Sequence, residues 1–127
     1  MDVYSLSVNV LSALGLSPDS VSLTGVDSIV TFKTKMSDEK STRLYEKSVN
    51  PFWCEVFQVD ATLGEDIIFQ VKNNPKNPIK KIIGTGTYHV DLFAVGESVR
   101  KTLKLAEGGE LNIKVTCDTI KAIATEK

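Results

Sequence analysis

The chain of 127 residues has only two cysteines and one histidine, and aromatic residues make up just 7% of it. Cys54 and Cys117 are too few for a disulfide framework. With the lone His89 they also fall short of the four ligands of a structural Cys/His zinc site. No apolar run approaches the roughly 20 residues that span a bilayer. The opening Met1-Asp2-Val3-Tyr4-Ser5 lacks the basic and apolar regions of a secretory signal, so the cysteines read as reduced thiols of a cytoplasmic protein. Charge is nearly balanced, with 15 Lys and Arg against 16 Asp and Glu. The net charge of −1 gives no bulk attraction to nucleic acid, and no nucleic-acid partner is expected. No internal repeat is present. Gly84 and Gly86 lead into no helix with a following Lys-Ser/Thr, so they are no phosphate loop. Neither cysteine, nor His89, has a nucleophile–base constellation around it in sequence, and no catalytic residue is expected.

What is present is an ordinary globular mixture, 42% apolar and 24% charged, sized for one domain. Tyr4, Leu6, Val8 and Val10 alternate with Ser5, Ser7 and Asn9, the period of a half-buried strand. The Gly, Pro and Ser residues of 12–20 then read as loop. Further strands are expected at Ser28–Thr34, Thr42–Glu46, Cys54–Val59, Asp66–Lys72, Ile82–Val90, Lys101–Leu105 and Glu110–Cys117. Asn50-Pro51, residues 73–78 and Gly108-Gly109 interrupt them. Residues 92–99 read as irregular or one short helix. Eight short strands without a long helix predict an all-β sandwich or barrel. Trp53 reads as core or rim. If the backbone is extended there, its neighbour Phe52 points to the opposite face.

One stretch is more specific. Lys47-Ser48-Val49-Asn50-Pro51-Phe52-Trp53-Cys54-Glu55-Val56-Phe57 resembles the signature of C2 domains. Other landmarks follow in order: Leu6-Ser7-Val8-Asn9-Val10 with Ala13-Leu14-Gly15-Leu16, then Asp27-Ser28-Ile29-Val30, Ile82-Ile83-Gly84, and Leu103-Lys104-Leu105 before Gly109-Glu110-Leu111-Asn112-Ile113. The resemblance covers Val3 to about Cys117 and is to the type II circular order. It implies an eight-stranded antiparallel β-sandwich with three functional loops at one end. The domain is expected over residues 1–118, with 119–127 as a tail or linker, in a chain that serves as a module of a larger protein or complex.

Calcium-binding C2 domains use aspartates of the first and third loops, because Ca²⁺ takes about 6–8 oxygen ligands, several of them carboxylates. Asp27 matches one such position. The earlier one falls near Val21, with Asp19 close by. In the third loop the acidic positions read Asn73, Pro75 and Lys80-Lys81. Lys72, Lys76, Lys80 and Lys81 place four cations there, and a dication beside them is repelled. No cofactor is therefore expected, Asp19, Asp27 and Asn73 being the residual metal candidates. The lysines point instead to an anionic phospholipid surface, at about 1 kcal/mol each. Four give roughly 4 kcal/mol, only about a millimolar dissociation constant, so either apolar insertion by Ile79 and Pro78 and by Leu16, Val21 and Leu23, or tethering to other domains, is needed as well. A second basic group comprises Lys33, Lys35, Arg43 and Lys47. The resulting expectation is a calcium-independent, peripheral membrane-targeting module. The alternatives are a domain that binds a protein partner with degenerate lipid and calcium sites, and weak calcium-dependent lipid binding.

Overall fold

Alternating apolar positions build two antiparallel sheets whose inner faces make one core. The computed structural model describes residues 2–16, 27–73, 81–106 and 108–122. The strands are β1 (Asp2–Leu14), β2 (Ser28–Lys33), β3 (Lys40–Ser41), β4 (Phe52–Thr62), β5 (Asp66–Asn73), β6 (Lys81–His89), β7 (Ser98–Lys104) and β8 (Glu110–Ala122). One sheet has the order β4-β1-β8-β7, the other β3-β2-β5-β6. The first and last strands are neighbours at the centre of one sheet, as the expected circular order requires.

Leu6, Val8 and Val10 of β1 and Leu111, Ile113, Val115 and Cys117 of β8 are fully buried. They meet Val30 and Phe32 of β2 and Ile67, Phe69 and Val71 of β5 in a single cluster. Phe32 stacks on Phe69 at 4.6 Å and meets Phe57 edge-on at 5.6 Å, arrangements that add to the burial of the rings. Burial, helped by the carboxylates of Asp118 and Glu97, pushes the Cys117 thiol above its ordinary value. That disfavours the thiolate and leaves a packing residue.

Several strands outrun their sequence patterns. β1 continues to Leu14 because Leu11 forms a bulge, after which Ser12 pairs with Asn112 and Phe52. β8 continues beyond Cys117 because Asp118 is a second bulge, after which Thr119 to Ala122 pair with Ser5 to Asp2. Residues 119–122 are therefore strand and not tail; 123–127 lie outside the described residues. β3 is shifted to Lys40–Ser41, and the expected Thr42–Glu46 strand reduces to a bridge between Tyr45 and Ser28. Residues 90–97 form an irregular connection with no helix.

Gly84 and Gly86 have a packing role. A Cβ on Gly84 would lie 2.8 Å from Leu105 Cδ1, and one on Gly86 3.0 Å from Leu103 Cβ. Their bare backbone lets Leu103 and Leu105 close the sandwich between β6 and β7. On the same side Tyr88 is buried, and desolvation, with the charges of Asp91 and Glu97, pushes its hydroxyl up to about 12. The folded chain thus holds the Tyr88 proton more tightly than the unfolded one. The stability from this group is complete below the ordinary tyrosine value of 10 and is lost as pH rises through about 12. A Tyr88→Phe variant should lack this component, worth about 2–3 kcal/mol at one pKa unit per 1.36 kcal/mol. Denaturant titrations at pH 9 and pH 12 check it: a variant that loses as much stability as the parent would refute the assignment.

Candidate functional site

Antiparallel pairing brings the ends of β1, β5 and β7 and the starts of β2, β4, β6 and β8 to one end of the sandwich, with residues 42–51. The opposite end carries 34–39, 63–65 and 90–97, with the start of β1 and the end of β8. The first group is the loop end below.

The signature residues tie the loop end together. Asn50 Oδ1 accepts from the N–H of Gly15 at 2.8 Å, and Leu16 N–H donates to Val49 O at 3.0 Å. Ala13 N–H donates to Pro51 O. Ser28 and Tyr45 exchange backbone hydrogen bonds at 2.8 and 2.9 Å. Asp27 Oδ1 accepts from Lys47 N–H at 2.9 Å, steadying a left-handed residue at φ 54°. Gly109 packs directly on the backbone of Gly15.

Leu16 corrects an expectation. It is buried in the core and cannot insert into a lipid surface. Gly15, at φ 67°, turns the chain so that Leu16 folds back under the 42–51 connection. Among the described residues, the exposed apolar side chains at this end are Leu14, Tyr45, Phe52 and Ile82. Phe52 stands 59% exposed at the start of β4 while Trp53 is buried, the opposed orientation that strand geometry demands.

Lys72 lies on the outer face of β5, with its Nζ 3.9 Å from Glu39 Oε2. Lys81 opens β6, its backbone paired with Asn73. Lys76, Ile79, Lys80 and Asp19 lie outside the described residues. Asp27 and Asn73 sit at neighbouring strand ends, since Ser28 pairs with Asn73. As a calcium donor set they are poor: one carboxylate, already accepting an N–H, and one amide oxygen, against the 6–8 oxygens the ion takes. Among the described residues, no three His, Cys, Asp or Glu side chains converge as a metal site.

The second basic group is dispersed. Lys33 and Lys35 lie at the far end, in a groove of about 390 Å³ on the outer face of β2 and β5 that they share with Glu39, Glu65 and Asp66. Lys47 is at the loop end, roughly 17 Å away at about 3.3 Å per residue along β2. Arg43 is held by Glu55 at 3.3 Å and donates to Trp53 O at 3.1 Å. His89 is exposed, its Nδ1 2.8 Å from Asp66 Oδ1.

Two four-stranded antiparallel sheets, permuted so that first and last strands lie together and three long connections share one end, define a C2-type sandwich. The C2 domain family model matches residues 4–105, and the chain belongs to the C2 domain family. No curated protein matches it. Among solved structures it is similar to a C2 domain of plant extended synaptotagmin 1, at 22% identity and TM-score 0.81, covering 93% of this chain and 96% of that one. It is also similar to human GIVD cytosolic phospholipase A2, at 20% identity and TM-score 0.78 over 91% of this chain. It spans only 17% of the phospholipase chain. A third similar structure is a C2 domain-containing protein from a putative elicitor-responsive gene, at 17% identity and TM-score 0.71, covering 98% and 94%. At these identities the likeness is one of fold. Among the described residues no helix is long and apolar enough to cross a membrane.

Proposed function

We propose that this C2 domain is a non-catalytic module that docks on anionic phospholipid surfaces through its loop end, without calcium. The observation that carries this reading is the separation of charge along the sandwich. Lys47, Lys72, Lys81 and Lys104 lie at the loop end with Asp27, Glu46 and Glu110 among them, Lys72 reaching back to Glu39, and Lys76 and Lys80 belong to the same β5–β6 connection by sequence. Asp38, Asp60, Asp66, Asp91, Glu97 and Asp118 lie toward the other end, against Lys33, Lys35 and Lys121. Such a polarity steers the loop end toward a negative surface and holds the acidic end away. Electrostatics alone gives about a millimolar affinity. Leu14, Phe52 and Ile82, exposed beside the lysines, supply apolar contact, which adds about 25 cal/mol per Å² buried.

Vesicle co-sedimentation tests the reading. Binding to phosphatidylserine-containing vesicles at low salt is expected equally in EGTA and in excess Ca²⁺. The triple reversal Lys76→Glu, Lys80→Glu, Lys81→Glu should weaken it at least tenfold, because each lysine near the surface is worth about 1 kcal/mol. Binding that appears only with Ca²⁺ would overturn calcium independence. Binding that is indifferent to anionic lipid would overturn the membrane reading and leave a protein partner at this end.

A further inference from the structure

The end opposite the loop end carries apolar side chains that the fold does not use. In the 90–97 connection Leu92 is 73% exposed and Val95 63%. Their exposure is not slack. Phe93, between them, is buried against Tyr4 with ring centroids 5.7 Å apart. Glu97 Oε1 accepts from Ala94 N–H at 2.8 Å, Gly96 N–H donates to Cys117 O at 2.7 Å, and Cys117 N–H donates to Glu97 O at 2.9 Å. The connection is pinned at both ends of its tip, so it presents Leu92 and Val95 in a fixed conformation. A preformed surface of this kind loses little entropy on binding.

Beside Leu92 a cavity of about 470 Å³ opens between β6 and β7, within the range of specific recognition pockets. Tyr88, Phe93, Val99 and Leu103 give it apolar walls, and Asp91 and Glu97 stand at it with a single lysine, Lys101. His89 also lines it but turns Nδ1 to Asp66. Tyr88 is only 3% exposed. The two carboxylates above apolar walls suit a cation at the end of an apolar stem, as in lysine or arginine. The surrounding surface is acidic, with Asp66 and Asp118 nearby on β5 and β8, which is the wrong sign for an anionic membrane.

We propose that this end is a second docking surface, which takes a basic, apolar segment of a partner polypeptide: Leu92 and Val95 pack on its apolar residues while the cavity receives one of its lysine or arginine side chains between Asp91 and Glu97. The two ends of the domain then bind different things, lipid at one and polypeptide at the other. Charge-assisted contacts in such a partly desolvated site set specificity as well as affinity.

The test uses the whole chain and a ten-residue peptide of alternating leucine and arginine, acetylated and amidated, with a leucine–glutamate peptide as its counterpart. Amide chemical shifts should move at Tyr88, through 91–97, and at Val99 and Lys101 with the arginine peptide only. The double variant Asp91→Asn, Glu97→Gln keeps acceptors for Leu92 N–H and Ala94 N–H, which the two carboxylates now hold. It should bind the arginine peptide at least tenfold more weakly with an unchanged melting curve, and Leu92→Ser at least fivefold. Vesicle binding of both variants should match the parent, which separates this proposal from the lipid reading. Shifts confined to other regions, equal binding of the glutamate peptide, concentration-dependent dimerisation that Leu92→Ser abolishes, or loss of vesicle binding in Leu92→Ser would each overturn it.

Discussion

Replacing Gly109 with alanine is expected to lower the unfolding free energy by about 3 kcal/mol, the sum of two separate costs. The first is conformational. Gly109 sits at φ 89°, in the left-handed half of the map, where an L side chain costs roughly 1–2 kcal/mol. The second is steric. The added Cβ would lie 2.7 Å from Gly15 O and 2.8 Å from Leu14 O. Both are backbone atoms that no rotamer change can move aside, and overpacking of this kind costs roughly 1–3 kcal/mol. Gly15 is the internal control. It too has a positive φ, 67°, but a Cβ there would meet only Gly109 Cα, at 3.9 Å. Gly15→Ala should therefore show the conformational cost alone, about 1–2 kcal/mol. The thermal midpoint should fall by roughly 10–15 °C in Gly109→Ala and by about half that in Gly15→Ala. Equal losses in the two variants would mean that the contact between the β7–β8 turn and the base of the first connection is not a constraint. The consequence reaches function, because the same contact orients the end of β1, from which Leu14 projects.

The strand pattern was legible wherever alternation was uninterrupted. Ile67, Phe69 and Val71 in β5, and Leu111, Ile113 and Val115 in β8, are fully buried, as period two requires. It became illegible at bulges. Leu11 and Asp118 each insert one residue, which shifts the phase of alternation, and a reading by period ends the strand there. The Asn50-Pro51-Phe52-Trp53 stretch was legible as a family landmark, and its physical role emerges in the bonds from Gly15 and Ala13 to Asn50 and Pro51. Leu16 was not legible, since a leucine after a glycine in a loop carries no sign of which way the turn sends it. Its backbone bond to Val49, far along the sequence, is a tertiary fact. Phe52 could have been chosen over Leu16 as the exposed residue: beside a tryptophan destined for the core, it had to face out. Charge runs mislead in the same way. Lys33, Lys35, Arg43 and Lys47 are close in sequence, yet β2 carries the first two to one end while Asp27 holds the last at the other.

The end opposite the loop end depends on one buried carboxylate, and Glu65→Ala is expected to cost about 3 kcal/mol. Glu65 is only 6% exposed. Its Oε2 accepts from Lys35 N–H at 2.8 Å and its Oε1 from Thr62 N–H at 3.1 Å. One side chain thereby joins the β2–β3 connection to the end of β4. Hydrogen bonds to a charged group contribute about 1.5–3 kcal/mol each, and a buried donor left without an acceptor bears its full desolvation cost. Alanine removes the acceptor from both N–H groups, and water replaces it more readily at the exposed Lys35 than at the half-buried Thr62. Glutamine keeps one good acceptor but must turn an N–H toward a donor or move it away, so about half the loss is expected. The backbone bond from Val90 N–H to Glu65 O, 2.8 Å long, does not involve the side chain. Amide exchange distinguishes the two: in Glu65→Ala the Lys35 and Thr62 amides should lose protection while Val90 keeps it. Unchanged protection at Lys35 would show that the carboxylate does not hold that loop. If the loss is as expected, peptide docking at Leu92 and Val95 should survive, because that connection is anchored by Phe93, Gly96, Cys117 and the Glu65 backbone and not by the Glu65 side chain. Rigidity at this end is thus built twice over from independent contacts, which is what a surface that must stay preformed for a partner requires.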